Sequence, residues 1–506
     1  MKLLLDMNRN DAMVALFEGL RSAGVASEAT IIVSTVAEQG RLLSRGVPVG
    51  VRLVSHEGLC APLDDARAAG AWSDLLASER RAFFGGAMRW VYGTRWMVAR
   101  SARGRFFREE MQYSRREAEQ LVSACWWRVR CLFDELTPDL VLLEGVANLV
   151  QFAISEMAHA RGIPSLFLAP SRIGTWMTIA TSPHDDASFA RERHQALRDG
   201  ATPSAEAIAV VDRVVERLRS GTAELHDAAR AAPAKLSAHR ALGRIAARIG
   251  SRTPAANQRT LVKRPQDAGL VEEVARTFVR RKLMRSTFAF DDLPRDRPYV
   301  LLPLHSEPET ALSLNAPHIT SQAELACALA FALPFDHCLV VKDHPSMFGL
   351  RAPAYYSRMK QRCFNLLVVD PESNGVPAAA GAACVATVAG TLGLEALLLG
   401  IPVLLFGLAL YQEVTGVVRS GVTQRLPQDV RAALDLTSVS ASIARDARLF
   451  ALALIENSAQ VPWHTELKDR PQDYEYDGIE FRRFSGLVEA ALTRTLGRAR
   501  SRPLER

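Results

Sequence analysis

Over the first 60 positions the spacing of apolar residues switches repeatedly between a strand period and a helix period. MKLLLD and ATIIVSTV are apolar runs of strand length, and VGVRLV is a third. Between them, Asp11 to Ala23 and Glu38 to Ser44 carry apolar residues at helical spacing, the second ending near Gly46. Strand–helix alternation of this kind predicts a parallel sheet with covering helices. The pattern resumes at TPDLVLLEG, with a helix over 147–160, a Gly162-Ile163-Pro164 break and the strand SLFLAP. That is a βαβ unit with the usual right-handed crossover.

A second α/β run opens at DRPYVLLPLHSEPE (296–309), with Tyr299 to Leu304 as its first strand. A helix over 320–332, the strand CLVVKDHP, a helix near 353–362 and the strand LLVVD follow, then the unit at 384–407. The expected architecture is α/β, two doubly wound domains facing a cleft, with a helical insertion in the N-terminal half. The expected boundaries are 1–290, 291–475 and a C-terminal helix in 476–506 that packs back on the first domain. Residues 63–135 read as mostly helical, their aromatics (Trp72, Phe83, Phe84, Trp90, Tyr92, Trp96, Phe106, Phe107, Trp126, Trp127) serving as helix-packing core. Residues 186–285 read as basic and helical, with a looser surface excursion or linker near 230–266.

Composition narrows the class. At 506 residues, 48% hydrophobic and 23% charged, the chain matches soluble globular proteins. No apolar run reaches bilayer-spanning length, and Asp6 interrupts Leu3-Leu4-Leu5 before a secretion signal can form, so the expected location is cytoplasmic. Seven scattered cysteines without C-x-x-C spacing argue against a disulfide framework or zinc site, and read as small buried hydrophobes; no metal is expected. The net charge of +7 comes mainly from arginine. No nucleic-acid module accompanies it, so no nucleic-acid partner is expected. A basic face suits an anionic glycan or peripheral contact with the inner membrane, and a solvated helix surface accounts for it equally well.

The chemistry concentrates in the second half. Cys384 to Val388 reads as a buried strand, and Thr391 as the cap of a helix that Gly400 ends before the strand Val403 to Phe406. A strand–turn–helix of this kind leaves backbone amides at the positive end of a helix dipole, an anion site. An ordinary strand–helix–strand unit with a structural cap fits it as well. Lys342, Asp343, His344 and Pro345 follow a strand at the sheet edge where open α/β sheets bind ligands. Two residues apart on extended chain, Lys342 and His344 face the same way and can meet a phosphate; a polar loop end is the plainer alternative. Glu307 and Glu309 lie at the cleft rim, as base or sugar-orienting groups or as a solvated loop. Glu144 occupies the matching edge of the first domain as candidate base or nucleophile, and acidic residues also cap such helices. Arg172 is a candidate for holding an anionic acceptor or sugar carboxylate, His305 a lesser donor, and His318 and His337 surface residues.

LLPLHSEPETALSL, VVKDHP, VATVAGTLGLEALLLGIPVLLFG and Tyr411, in that order, resemble the capsule polysaccharide biosynthesis family, which includes bacterial Kdo transferases. The resemblance spans about 298–412; the first 290 residues match only in general pattern. It implies a GT-B glycosyltransferase with two Rossmann-like domains, often metal-independent. In that family His344-Pro345 would hold the phosphate of a CMP-linked sugar, with Lys342 before it. Gly390 and Thr391 would form the phosphate turn, and Glu395 would lie near the ribose. The chain departs from the pattern at Asp343, where Glu is commoner, at Ala389-Gly390 in place of Thr-Gly, and at Gly400-Ile401-Pro402 in place of Gly-Lys-Pro. These departures leave the donor open.

The function expected is transfer of a sugar, an acidic one such as Kdo from a CMP donor, onto a surface polysaccharide or its lipid-linked precursor. No cofactor is expected beyond the nucleotide-sugar co-substrate. The partners expected are a glycan or glycolipid acceptor and capsule assembly proteins. Two readings compete: a UDP-sugar transferase or 2-epimerase of the same fold, and a non-catalytic scaffold subunit of a capsule assembly or export complex.

Overall fold

The computed structural model describes residues 1–7, 9–64, 70, 98–99, 110–111, 113–184, 187–221, 270–307, 310–464, 467 and 474–501. The aromatics of 72–107, the excursion expected at 230–266 and Glu309 lie outside the described residues.

The first sheet begins with β1 (Lys2–Asp6), β2 (Glu28–Val33) and β3 (Val51–Ser55), joined by α1 (Asn10–Ser22) and α2 (Val36–Arg45). After α3 (His56–Leu59) and α4 (Arg115–Leu136) come β4 (Leu140–Leu143), α5 (Leu149–Ala160), β5 (Ser165–Pro170) and β6 (Trp176–Ala180). Side-chain caps set the helix starts. Thr35 accepts from the Glu38 amide, Asn148 from Gln151, and Ser114 forms a reciprocal capping box with Glu117.

Two helices, α6 (Ser188–Arg198) and α7 (Ala205–Arg219), and then α8 (Leu270–Thr287) precede the second sheet. That sheet is built from β7 (Tyr299–Pro303), β8 (Cys338–Lys342), β9 (Leu366–Val369), β10 (Cys384–Thr387), β11 (Val403–Leu405) and β12 (Val417–Arg419). Its helices are α9 (Thr310–Asn315), α10 (Gln322–Ala332), α11 (Pro353–Arg362), α12 (Gly375–Ala380), α13 (Thr391–Leu398), α14 (Leu426–Asp435) and α15 (Ser440–Glu456). The chain closes with β13 (Ser458–Gln460) and α16 (Ile479–Ser501).

In space the second sheet runs β9-β8-β7-β10-β11-β12 with every pair parallel. The chain winds outward from β7, then returns to start again at β10, so β7 and β10 flank a topological switch point. The first sheet runs β13-β6-β5-β4-β1-β2-β3 and has its own switch point between β1 and β4. Both sheets are α/β and doubly wound, as the apolar spacing implies.

The first sheet differs from the expected all-parallel form at one side. β6 runs antiparallel to β5, and β13 antiparallel to β6. Strand direction depends on which loop brings the chain back, and the tight β5–β6 turn through Ser171 to Thr175 permits only a hairpin. Residue spacing within a strand carries no record of it.

Packing also cuts across the expected boundary at 290. Ala190, Leu197, Val211 and Leu218, from α6 and α7, are buried in one cluster with Leu301, Val340, Leu397 and Phe450 around the second sheet. Asp446 of α15 fastens this seam. It accepts from His194 at 3.0 Å, from both ends of the Arg198 guanidinium and from the Thr415 amide. Burial opposes its charge, but these donors outweigh that and hold the carboxyl far below the ordinary range. Conversely, Phe481, Phe484 and Val488 of α16 share a core with Leu16 and Phe17 of α1 and with Leu3 and Leu5 of β1. Leu314 of α9 is buried in the first domain's cluster with Leu4 and Val141.

All seven cysteines are free, six of them buried, and burial pushes the Cys384 thiol up to about 12. Among the described residues, no helix is long and apolar enough to cross a membrane.

Candidate functional site

Register fixes what meets at the carboxyl edge of the second sheet. Lys342 lies opposite Pro303, and Val385 opposite Leu301, so the ends of β8, β7 and β10 stand side by side. At a strand spacing of about 4.8 Å, backbone following β8 and backbone following β10 are about 10 Å apart. His305, just past β7, fills the middle. Its Nε2 accepts from the Ala389 amide at 3.3 Å, and its backbone amide donates to Gln322 Oε1 at 2.6 Å. The switch crevice is therefore closed at its floor by an imidazole that the sequence reading ranked low.

Lys342 is buried, and its ammonium donates to the Pro371 carbonyl at 3.0 Å. It reaches across the end of β9 instead of projecting straight outward, and its Cε lies 3.8 Å from where a Cβ on Gly375 would sit. His344 is the N-cap of the single turn Pro345–Met347. Its Nδ1 meets Ser346 Oγ at 2.7 Å and the Ser346 amide at 3.2 Å. Pro345, at the first helical position, is preset for that turn.

Asp343, between them, faces inward and is 1% exposed. It accepts from the His344 amide at 2.7 Å, from Arg351 Nη1 at 2.5 Å and from Tyr356 Oη at 2.5 Å. Arg351 also donates to the His305 carbonyl at 3.0 Å and to Glu307 at 2.8 Å, and its guanidinium carbon lies 4.8 Å from the Tyr355 ring centroid. Burial works against the Arg351 charge, but Asp343, Tyr355 and Glu307 override it and raise the group above its ordinary value. Burial and the neighbouring Asp343 likewise push the Tyr356 phenol up. The Glu307 carboxylate is thus part of a buried charge network beneath the loop, not a solvated rim group. This framework escaped the sequence reading because Arg351 and Tyr356 come from the next loop and helix; the only local signal was a charge adjacent to His-Pro.

The turn after β10 is built for close approach. Gly390, not Thr391, is the N-cap of α13, and Thr391 is its first helical residue. Gly390 supplies no capping side chain; Thr387 Oγ1 instead accepts the Gly390 amide at 3.0 Å. The first-turn amides of Thr391 and Leu392 thus have no capping side chain and sit at the positive end of α13. A Cβ on Gly390 would come within 2.9 Å of Thr387 Oγ1 and 3.6 Å of the His305 ring. On Gly393 a Cβ would collide with Tyr411, whose hydroxyl donates to the Gly390 carbonyl at 2.6 Å. Glu395 is buried one turn further along the helix.

The first sheet's switch point carries different groups. Asp6 ends β1 and is fully buried; its Oδ2 lies 2.9 Å from His56 Nε2, and its Oδ1 accepts from Gln151 at 3.4 Å. Glu144 follows β4, its amide bonded to the Asp6 carbonyl at 2.9 Å and its carboxylate 3.8 Å from His464 Nδ1. Asp6 and His56 were not singled out in the sequence. They are 50 positions apart, and a lone Asp ending a strand is unremarkable until β3 is brought two places away from β1. Arg172 sits in the β5–β6 turn with φ 67°, a left-handed conformation that non-glycine residues rarely adopt. Structure therefore brings Lys342, His344, Pro345, Gly390, Thr391 and Glu395 to one edge, and Glu144 and Arg172 to the corresponding edge of the other sheet.

Residues 263–443 match the model of the capsule polysaccharide biosynthesis protein family. The match contains the residues that carry the motif resemblance. No curated protein matches the chain. Among solved structures, the chain is similar to Thermosulfurimonas dismutans KpsC, beta Kdo 2,7 transferase. The identity is 14% over 61% of this chain and 80% of that one, with a TM-score of 0.32. The structure described as KpsC, beta Kdo 2,4 transferase, from the same organism gives 15% identity over 58% and 79%, TM-score 0.33. A UDP-GlcNAc 2-epimerase from Neisseria meningitidis bound to UDP-GlcNAc gives 12% over 98% and 100%, TM-score 0.26.

Proposed function

We propose that this chain, similar over residues 263–443 to capsule polysaccharide biosynthesis proteins, is a glycosyltransferase that uses a nucleotide sugar. One observation carries the reading. Lys342 ends β8 with His344 just past it, His305 follows β7 and the uncapped start of α13 follows β10, so all of them lie along the carboxyl edge at the switch point of the family-matched sheet. That is where an open α/β sheet receives a phosphorylated ligand.

In the proposed reaction the bond between the sugar's anomeric carbon and a phosphate oxygen breaks, and the electron pair leaves with the phosphate. Negative charge grows there, facing an imidazole N–H and the amides at 391 and 392, with the buried Lys342 ammonium adding its positive charge from the end of β9. Groups already fixed in place stabilise such charge without reorganising. The acceptor hydroxyl attacks the anomeric carbon and gives up its proton on the first domain's side, where Glu144 follows β4 with its amide on the Asp6 carbonyl. The finer expectations belong to this proposal: a CMP-linked acidic sugar as donor, a surface glycan or its lipid-linked precursor as acceptor, and a cytoplasmic setting beside the inner membrane. Their support is the motif resemblance around His344-Pro345.

The test is titration of the full chain with CMP and with UDP, followed by thermal shift. Under this proposal CMP at 100 times its Kd stabilises the fold by about 2.7 kcal/mol. His344→Ala is expected to weaken CMP about tenfold. A preference for UDP would transfer the reading to the UDP-sugar enzymes. Binding of neither nucleotide would overturn it in favour of a scaffold.

A further inference from the structure

At the seam between the domains, beside the switch crevice, the carboxyl ends of β11 and β12 border a cavity of about 700 Å³. Its walls include Phe406, His318, Arg419, Ser420 and Arg425 from the second domain and His184 from the first. Basic groups outnumber acidic ones in the lining, two arginines against Asp429. Arg419 and Arg425 are exposed, and neither guanidinium joins an ion pair or side-chain hydrogen bond among the described residues. The acidic lining residue, Asp429, accepts the Ser420 hydroxyl at 2.7 Å. α14 also begins here, with Arg425 at its N-cap position and Asp429 in its first turn answering the helix dipole, so the arginines carry the positive charge. Solvated arginines on a convex surface would carry no such implication. Here they border a concave space whose other wall is apolar, through Leu314, Leu405 and Phe406.

Position says what reaches the cavity. β10, β11 and β12 are consecutive in the sheet, so the cavity lies about 5–10 Å along the edge from the Gly390 turn. A glycan whose reacting sugar lies beside a phosphate held at that turn spans this distance with its next one or two rings. We infer that the cavity holds an anionic oxygen group, a carboxylate or a phosphate, carried by the glycan that takes part in the reaction. The identity of the ligand as a glycan rests on the glycosyl-transfer reading; the preference for an anion rests on Arg419 and Arg425 alone. Arginine suits either group, because its planar fork pairs with two oxygens at once.

The experiment uses the full chain with saturating CMP present, so that the switch crevice is occupied. Glucuronic acid, glucose 1-phosphate and glucose are compared by saturation-transfer NMR, in wild type, in Arg419→Gln/Arg425→Gln and in Arg419→Lys/Arg425→Lys. At least one anionic sugar is expected to bind, and which one identifies the oxygen group. Glucose is expected not to bind. The glutamine variant should lose about tenfold in affinity and the lysine variant regain part of it. Each single glutamine variant should show part of the loss, which keeps the test intact should the double variant fold poorly. Equal binding of glucose, no binding of either anion, or unchanged anion binding in the glutamine variants overturns the inference. Anion binding that depends on the arginines in a protein that fails to bind CMP would sink the donor proposal and leave this site standing.

Discussion

The two switch points share a topology and oppose each other in charge. In the first sheet, the ends of β1 and β4 present Asp6 and Glu144, and the Asp6 charge is answered by an imidazole and an amide. In the second, the ends of β7, β8 and β10 carry His305, His344 and bare amides over the buried Lys342 ammonium, while Asp343 is turned inward and neutralised by Arg351. Strand order decides where a ligand can lie, and the residue just past each strand decides what kind. An acid-lined edge on one sheet and a base-lined edge on the other suit a reaction that takes a proton at one and releases an anion at the other.

The comparison breaks most readily at Arg351. Replacing it with Met leaves the buried Asp343 and the half-buried Glu307 without their cation, which should cost about 3–5 kcal/mol of stability, read by denaturant unfolding. CMP binding should fall with it, because the loop holding His344 is anchored through Asp343. An equally stable Arg351→Met protein would mean that this edge does not depend on the network. Gly393→Ala is next. Its Cβ would press on the Tyr411 ring, whose Cζ would lie 2.7 Å away, and about 1–3 kcal/mol should be lost. Adding Tyr411→Phe should return part of that by removing the hydroxyl; no recovery would mean the collision is not with Tyr411. The smallest stability effect belongs to Asp6→Asn, about 1 kcal/mol, since the amide keeps the size and one hydrogen bond. It sharpens the contrast, because CMP binding should be unchanged while glycosyl transfer falls. Weaker CMP binding in Asp6→Asn would show that the two edges are not separate in role.

The second domain was largely legible from its residues. Tyr299 to Leu304, Cys338 to Lys342 and Val403 to Phe406 are runs of β-branched and aliphatic residues of strand length, and the observed strands start where these do. The turn after β10 was legible too, since Gly390 follows an apolar run and precedes a helical one. Its capping was misread. Thr391 has the right chemistry for an N-cap, but the close contact of Gly390 with Thr387 and His305 takes that position for the glycine. What could not be read was long-range pairing. Asp343 with Tyr356, Asp6 with His56 and Asp446 with His194 join residues from different elements, and nothing in the local spacing points from one to the other. The seam at α6 and α7 was hidden for the same reason. Their apolar faces announce that they are buried but do not say under which sheet.

The strand at Ser458–Gln460 has a consequence for how the molecule is made. Until those residues leave the ribosome, the hairpin arm Trp176–Ala180 waits as an unprotected border with open hydrogen-bonding groups. The sheet that begins at Lys2 is therefore sealed on that side only once residue 460 has been made, and a polypeptide stopped short of residue 460 would emerge sticky at that border.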